Sequence, residues 1–236
     1  MKKVEGYDKG VIMHIHGMLY VIGVGPGDPG LLTIKAADIL RQVDVIAGAK
    51  KGDGEGLAFQ IAEKAVPDIA SKEKLLLKFP MTKDSVALHE AHEKAAHLIE
   101  SYIKRDKTVA LLTLGDPALY STSSYIWDRI KDKGYKIEII SGVPALCAAA
   151  ARITTALATG NETISISTPE SVDFAHRGTS IVLKGGDKLG ELKQKVTEAE
   201  KEAWLIENCG MPDEKVYAGI ENIPDKAGYM SLLIVK

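Results

Sequence analysis

Five stretches in the first 140 residues (19–25, 43–47, 74–79, 108–114 and 137–140) are apolar almost without interruption and have the length of β-strands. A strand with one wet face alternates apolar and polar residues, whereas one that does not alternate is covered on both faces. Helical stretches separate these runs. Residues 34–42 carry Ile34, Ala37 and Leu40 on one side. Residues 85–104 carry Val86, Leu88, Ala95, Leu98, Ile99 and Ile103, and residues 119–131 form a third helix. Doubly covered strands alternating with helices predict an open, mostly parallel sheet with helices on both faces.

The pattern changes after residues 141–144. A helix over 145–153 is followed by strands at 163–167, 179–183, 203–207, 215–217 and 229–235, which are shorter, closer together and separated by fewer helices. This half reads as a mixed sheet. The chain is therefore expected to fold as two α/β domains, residues 18–140 and 141–236, with the boundary around 138–144. Residues 1–17 precede the first strand and read as a leader or extension. They carry Lys2 and Lys3 but no apolar core of signal-peptide length, and their His14 and His16 read as incidental. The charge-rich residues 184–201 read as an exposed helix face, and residues 232–235 as sheet core or a dimer seam.

Composition narrows the function. A formal net charge of −2 leaves no basic footprint for nucleic acid. No apolar run reaches the roughly 20 residues of a membrane helix. The two cysteines, Cys147 and Cys209, make no C-x-x-C and are too few for a disulfide scaffold, which fits a reducing cytoplasm. No H-E-x-x-H or Cys/His cluster is present, and His89, His92 and His97 do not share one helix face, so no metal is expected.

Two acid-proline turns stand out. Gly25-Pro26-Gly27-Asp28-Pro29-Gly30 follows the first strand and formally spells G-x-G-x-x-G, with Asp44 where a ribose-binding acid would sit. Asp28 before Pro29, however, is a pair of N-cap and first helical residue. It sets a carboxylate where a pyrophosphate needs bare amides. The second turn, Gly115-Asp116-Pro117, ends another buried strand. Ligands of open α/β sheets sit at the carboxyl ends of strands, so two such loops imply one crevice lined by both.

G-x-G-P-G-D-P-G near the start and G-D-P-x-x-Y-S-T about ninety residues later resemble the tetrapyrrole methylases, S-adenosylmethionine-dependent enzymes of corrin and sirohaem synthesis. The resemblance runs from Met18 to Lys236. It includes Phe79-Pro80-Met81-Thr82, Ser141-Gly142-Val143, Glu207-Asn208-Cys209-Gly210-Met211-Pro212 and Tyr229-Met230-Ser231. Phe79–Thr82, G-D-P-x-x-Y-S-T and the terminal Y-x-S together resemble the branch that methylates C20 of precorrin-2 or its cobalt form, in cobalamin synthesis. Leu114 stands where many members have the first glycine of G-G-D-P. Residues 183–184 stand where many have methionine, and the Lys184-Gly185-Gly186-Asp187 turn is also less typical.

The resemblance implies a cytoplasmic homodimer with a tetrapyrrole substrate. It implies S-adenosylmethionine contacts at Pro26, Leu114, Gly115, Asp116, Leu119, Tyr120, Ser121, Thr122, Pro144, Ala145, Leu183, Lys184 and Gly219, with Ser121 and Thr122 opening a helix with free hydroxyls. Gly25, Gly27, Met81, Thr82 and Lys83 would face the substrate, and Lys72, Lys74, Lys78 and Lys83 are cations available to its carboxylate arms. Asp28, Asp116 and Tyr120 are the candidates for moving a proton, although both aspartates also read as caps, and alignment without a dedicated base is the preferred reading. Three alternatives stay open: methylation of another ring position or of uroporphyrinogen III, a dinucleotide-dependent oxidoreductase, and a non-enzymatic cofactor-binding module.

Overall fold

A computed structural model describes residues 17–82, 84–175 and 177–236. The expected leader therefore lies outside the described residues, apart from Gly17, and so do Lys83, His14 and His16.

The first half is β1 (Met18–Gly23), α1 (Ile34–Gln42), β2 (Val45–Lys51), β3 (Gly54–Glu55), α2 (Leu57–Ala65), β4 (Glu73–Leu77), α3 (Ser85–Ile103), β5 (Val109–Thr113), α4 (Ser124–Asp132) and β6 (Lys136–Ile140). Its strands lie in the order β4-β2-β5-β1-β6, all parallel, and β3 folds back on β2 as a short antiparallel hairpin. The central strands β2, β5 and β1 are buried on both faces, as their unalternating sequence requires, whereas the edge strands β4 and β6 are partly exposed. Ile22, Ala110 and Leu112 pack against Leu40 of α1 and Phe59 of α2. On the other face, Leu19, Val21, Val109 and Leu111 pack against Ile99 of α3 and Ile126 of α4. So α1 leaves β1 over one face while α4 leaves the neighbouring β5 over the other. The loops after β1 and β5 part company there, which opens a crevice at their carboxyl ends.

The second half is α5 (Ala145–Arg152), β7 (Ile164–Ser167), β8 (Thr179–Leu183), α6 (Leu189–Glu198), β9 (Ala203–Glu207), β10 (Lys215–Ala218) and β11 (Ser231–Val235). The strands run β10-β9-β11-β8-β7, antiparallel except for β7 beside β8, which is the expected mixed sheet. One face buries Leu205, Leu233 and Val235 under α6. The other buries Ile181, Ile206 and Ile234 under Leu146 and Ala149 of α5.

Some local expectations change. The helix expected over 119–131 begins only at Ser124, because Tyr120 holds a left-handed φ of 49° and residues 121–123 form a hydroxyl-bonded turn. The second strand starts at Val45, since the Val43 N–H still closes α1 by bonding the Ile39 carbonyl. Helix α2 was not anticipated: Gly56 precedes it without a side-chain cap. Two lysines offered to substrate carboxylates are engaged within the protein. Lys72 donates to the Arg41 and Val43 carbonyls, at 2.8 and 2.6 Å, and Lys74 pairs with Glu55 and Glu63.

Helices α3 and α4 are tied by a buried carboxylate. Glu100 accepts from Lys133 at 2.6 Å and from Tyr135 at 3.2 Å, and it pairs with Lys104 at 2.9 Å. The lysine hydrogen bonds, Lys133 first, hold its pKa at about 2 rather than 4.5. A depressed carboxyl stabilises the fold above its unfolded value and loses that contribution as pH falls from about 4.5 to about 2. Glu100→Gln is expected to cost about 1–2 kcal/mol at pH 7. In urea unfolding the gap from wild type should close by pH 2; a gap independent of pH would remove the ion pair as its cause.

Candidate active site

The two acid-proline turns bond to each other. Gly25 N–H donates to the Gly115 carbonyl at 3.3 Å, Gly115 N–H returns a bond to Gly25 at 2.8 Å, and Val24 N–H donates to Thr113 at 3.0 Å. Beneath them the ends of β1, β5 and β6 meet backbone to backbone. A Cβ built on Gly142 would lie 2.2 Å from the Gly115 carbonyl oxygen, and one on Gly23 would lie 2.5 Å from the same atom. Only glycine lets the loops approach this closely.

Asp116 joins this crossing through both oxygens. Oδ1 accepts from Ala118 N–H at 2.8 Å, and Oδ2 accepts from Gly142 N–H at 3.0 Å, across to the loop after β6. The carboxylate is thus a local cap and a tie between two loops. Asp28 has one such duty: it accepts from Gly30 N–H at 2.8 Å and caps a 3₁₀ turn, Pro29–Leu31. The α-helix starts later, capped by Thr33. The third glycine of the apparent dinucleotide fingerprint therefore lies in a capped 3₁₀ turn, and no bare helix N-terminus is offered to a pyrophosphate. Gly27 presses on the loop after β9, where its Cβ would lie 2.6 Å from the Cys209 carbonyl oxygen.

These loops wall a cavity of about 450 Å³ between the strand ends of the two sheets, within the usual range for a small-molecule site. Pro26, Leu114, Gly115, Asp116, Leu119, Tyr120, Ser121 and Thr122 line one side; Pro144, Ala145, Leu183 and Lys184 line the other. Among the described residues, Asp116 and Lys184 are the only charged side chains in the lining. Gly115 has φ 64°, and the nearest atoms to a Cβ there are 3.9 Å away, in Pro144 and Ala145. A side chain at 115 would thus take up space between two cavity walls, a cradle that suits close approach of a ligand to backbone groups.

Other expected site residues lie elsewhere. Gly219 donates to the carbonyl of Ala203, the first residue of β9, whereas the cavity is at that strand's far end beside Ile206 and Cys209. Gly25, Gly27 and Asp28 do not line the cavity. Met81 is 91% exposed, and Thr82 accepts from Asp84 N–H at the start of α3. Of that segment it is Phe79 that lines the cavity. Sequence reasoning did not single out Phe79, Cys209 or Tyr229 as site residues, although all three stand in the motifs that carried the resemblance.

Several hydroxyls of this wall, that of Ser121 among them, are engaged within the fold. Thr113 and Ser121 bond at 2.8 Å, and Ser121 and Ser123 at 2.7 Å. The Tyr120 hydroxyl donates across to the Ile166 carbonyl of β7 at 3.0 Å, so its ring straps the loop after β5 to the second sheet. Burial, with Glu214 nearby, pushes the Cys209 thiol up to about 11, which leaves it protonated and a weak nucleophile. His92 is buried and stacks on Tyr125 with centroids 4.9 Å apart, and burial lowers its pKa, so it is a neutral packing residue. No group of three His, Cys, Asp or Glu among the described residues is arranged to hold a metal.

Two α/β sheets that open one largely apolar cavity at their strand ends, floored by glycine-rich loops, define a small-molecule-binding α/β protein. The model of the tetrapyrrole (corrin/porphyrin) methylases matches residues 18–223, and the chain belongs to that family. A probable cobalt-precorrin-2 C(20)-methyltransferase of Methanocaldococcus jannaschii is 35% identical over 230 residues, covering 92% of this chain and 95% of its own. A solved cobalt precorrin-4 methyltransferase has a TM-score of 0.74 at 22% identity and covers 95% of this chain and 97% of its own. Uroporphyrin-III C-methyltransferase from Thermus thermophilus, in complex with S-adenosyl homocysteine, has a TM-score of 0.67 at 20% identity, covering 93% and 92%. At such identities the two structures establish the fold alone.

Proposed function

We propose that this chain transfers the methyl group of S-adenosylmethionine to C20 of precorrin-2 or of its cobalt form, in cobalamin synthesis. The observation that carries the reading is the cavity between the sheets, bounded by the two joined turns, in a chain 35% identical to a relative of that name. Its working form is read as a cytoplasmic homodimer. No described helix is long and apolar enough to cross a membrane.

When bound, S-adenosylmethionine supplies a methyl group on a sulfonium, whose leaving group is already good. What remains for the protein is alignment. Pro26, Leu114, Gly115, Asp116, Leu119, Tyr120, Ser121 and Thr122 would hold the donor from one side, and Pro144, Ala145, Leu183 and Lys184 from the other. Most would act through backbone groups. The apolar wall, with Phe79 and Ile126, excludes water and keeps the donor and the ring carbon in one orientation. Met81 and Thr82 sit outside it and would meet the substrate only at its rim.

Asp28, Asp116 and Tyr120 each have a hydrogen-bonding duty within the fold. That supports catalysis by alignment rather than by a dedicated base. Tyr120→Phe is accordingly expected to lose about 0.5–1.5 kcal/mol of stability. Its methyl-transfer rate should stay within a few-fold of wild type, with an unchanged pH profile. A fall of about a hundredfold would instead mark Tyr120 as the proton-transfer group.

Calorimetry with S-adenosylhomocysteine and with NAD tests the class: binding of the first and not the second is expected, and NAD alone would overturn it. Incubation with metal-free and cobalt-loaded substrate, followed by NMR assignment of the new methyl carbon, tests the position and the metal state together. Methylation at any carbon other than C20 would replace this reading with another member of the family.

A further inference from the structure

We infer that Lys184 is the anion-recognition residue of the cavity, its ammonium pairing with a carboxylate of the bound ligand. The inference rests on the methylase reading for the identity of that ligand, but its grounds are geometric.

Lys184 follows the last residue of β8 with a φ of 59°, in the left-handed region that side chains rarely adopt. Its own N–H is bonded to the Ser231 carbonyl of β11 at 3.2 Å, so the backbone is fixed between two strands. Glycines follow immediately at 185 and 186. A turn that has two glycines next to it and still carries lysine at the strained position keeps that side chain against a conformational cost.

The surroundings say what the side chain is for. Among the described residues the cavity lining holds two charged groups. The acid, Asp116, has both oxygens occupied by backbone N–H groups. The base, Lys184, is exposed, and its Nζ lies 5.6 Å from the centre of the Tyr229 ring. No carboxylate among the described residues pairs with it. A largely apolar wall with one cation that no neighbouring acid neutralises suits a ligand that brings a negative group, because a charge-assisted hydrogen bond to the ammonium is stronger than a neutral one. A neighbouring aromatic face holds the ammonium without neutralising it.

A carboxylate is available from two sources, the amino-acid end of the methyl donor and the acetate and propionate arms of the tetrapyrrole. The test separates them. Wild type, Lys184→Met and Lys184→Arg are titrated calorimetrically with S-adenosylhomocysteine and with 5′-methylthioadenosine, which lacks the amino-acid end, and KM is measured for the tetrapyrrole. If the donor is the partner, Lys184→Met weakens S-adenosylhomocysteine binding about tenfold and leaves 5′-methylthioadenosine unchanged. If the substrate is the partner, KM rises by a similar factor, the rise shrinks at high salt, and S-adenosylhomocysteine binds as in wild type. Lys184→Arg should retain binding in either case, which a merely structural lysine would not require. The inference is overturned if Lys184→Met matches wild type in all three measurements, or loses both nucleosides equally. Failure of wild type itself to bind S-adenosylhomocysteine or to methylate would remove the methylase reading, and this assignment with it.

Discussion

Gly142→Ala is expected to destabilise the protein by about 3 kcal/mol or more and to abolish S-adenosylhomocysteine binding. The added carbon would lie 2.2 Å from the Gly115 carbonyl oxygen and 2.7 Å from the carbonyl of Gly23. Both neighbours are backbone, so no rotamer relieves the clash. Moving the Gly115 carbonyl breaks its bond from Gly25 N–H, and moving Gly142 pulls its own N–H off Asp116. The loops after β1, β5 and β6 would all have to shift, and all three wall the cavity. In a thermal melt the loss should read as a fall of roughly 6–12 °C. Gly160→Ala is the control. Its φ of 54° costs an alanine about 1 kcal/mol, but nothing lies within 4 Å of the new carbon. A Gly142→Ala protein that melts and binds like the Gly160→Ala protein would show that the loops do not depend on their close crossing.

The first sheet was legible because it leaves no choice. Val109 to Leu112 are buried, with Leu111 and Leu112 facing opposite clusters, so the sequence must be apolar at successive positions and the run is visible. Helix α2 was not, because its start signal is missing: Gly56 offers no side-chain acceptor, and the glycines at 52, 54 and 56 read as a loop. The opposite error fell on residues 119–123. Their composition permits a helix, but serine and threonine hydroxyls satisfy one another and the backbone there, which competes with helical bonding.

The site was legible where one strand end determines it. Both acid-proline turns come directly after buried strands, and the residues beside the second turn line the cavity. It was not legible where two distant segments meet. Nothing in the spacing of residues 79–82 tells that Phe79 turns inward while Met81 stays exposed, because proline at 80 interrupts any alternation. Gly219, which the resemblance offered as a donor contact, lies away from the cavity because β10 runs antiparallel to β9 and returns the chain to Ala203. The tie from Asp116 to Gly142 spans 26 residues and had no local signature at all.

That tie also decides how Asp116 should respond to substitution. Asp116→Asn is expected to lower S-adenosylhomocysteine affinity and kcat/KM together, by about 10- to 100-fold, the worth of one or two hydrogen bonds to a charged group. The carboxylate accepts from two N–H groups on different loops. An amide has one acceptor and one donor end, so in either orientation an NH₂ faces an N–H. Either the turn at Ala118 or the link to Gly142 is lost, and the backbone groups that line the cavity beside Gly115 lose their fixed position. A base would behave differently. Removing it would leave stability and ligand affinity intact, collapse kcat, and erase the acidic limb of the pH–rate profile. A positioning carboxylate should lower the melting temperature, weaken binding, and leave the residual activity with the wild-type pH dependence. Measuring all three on one variant separates the roles, and an unchanged melt with intact S-adenosylhomocysteine binding and lost turnover would return Asp116 to the reaction itself.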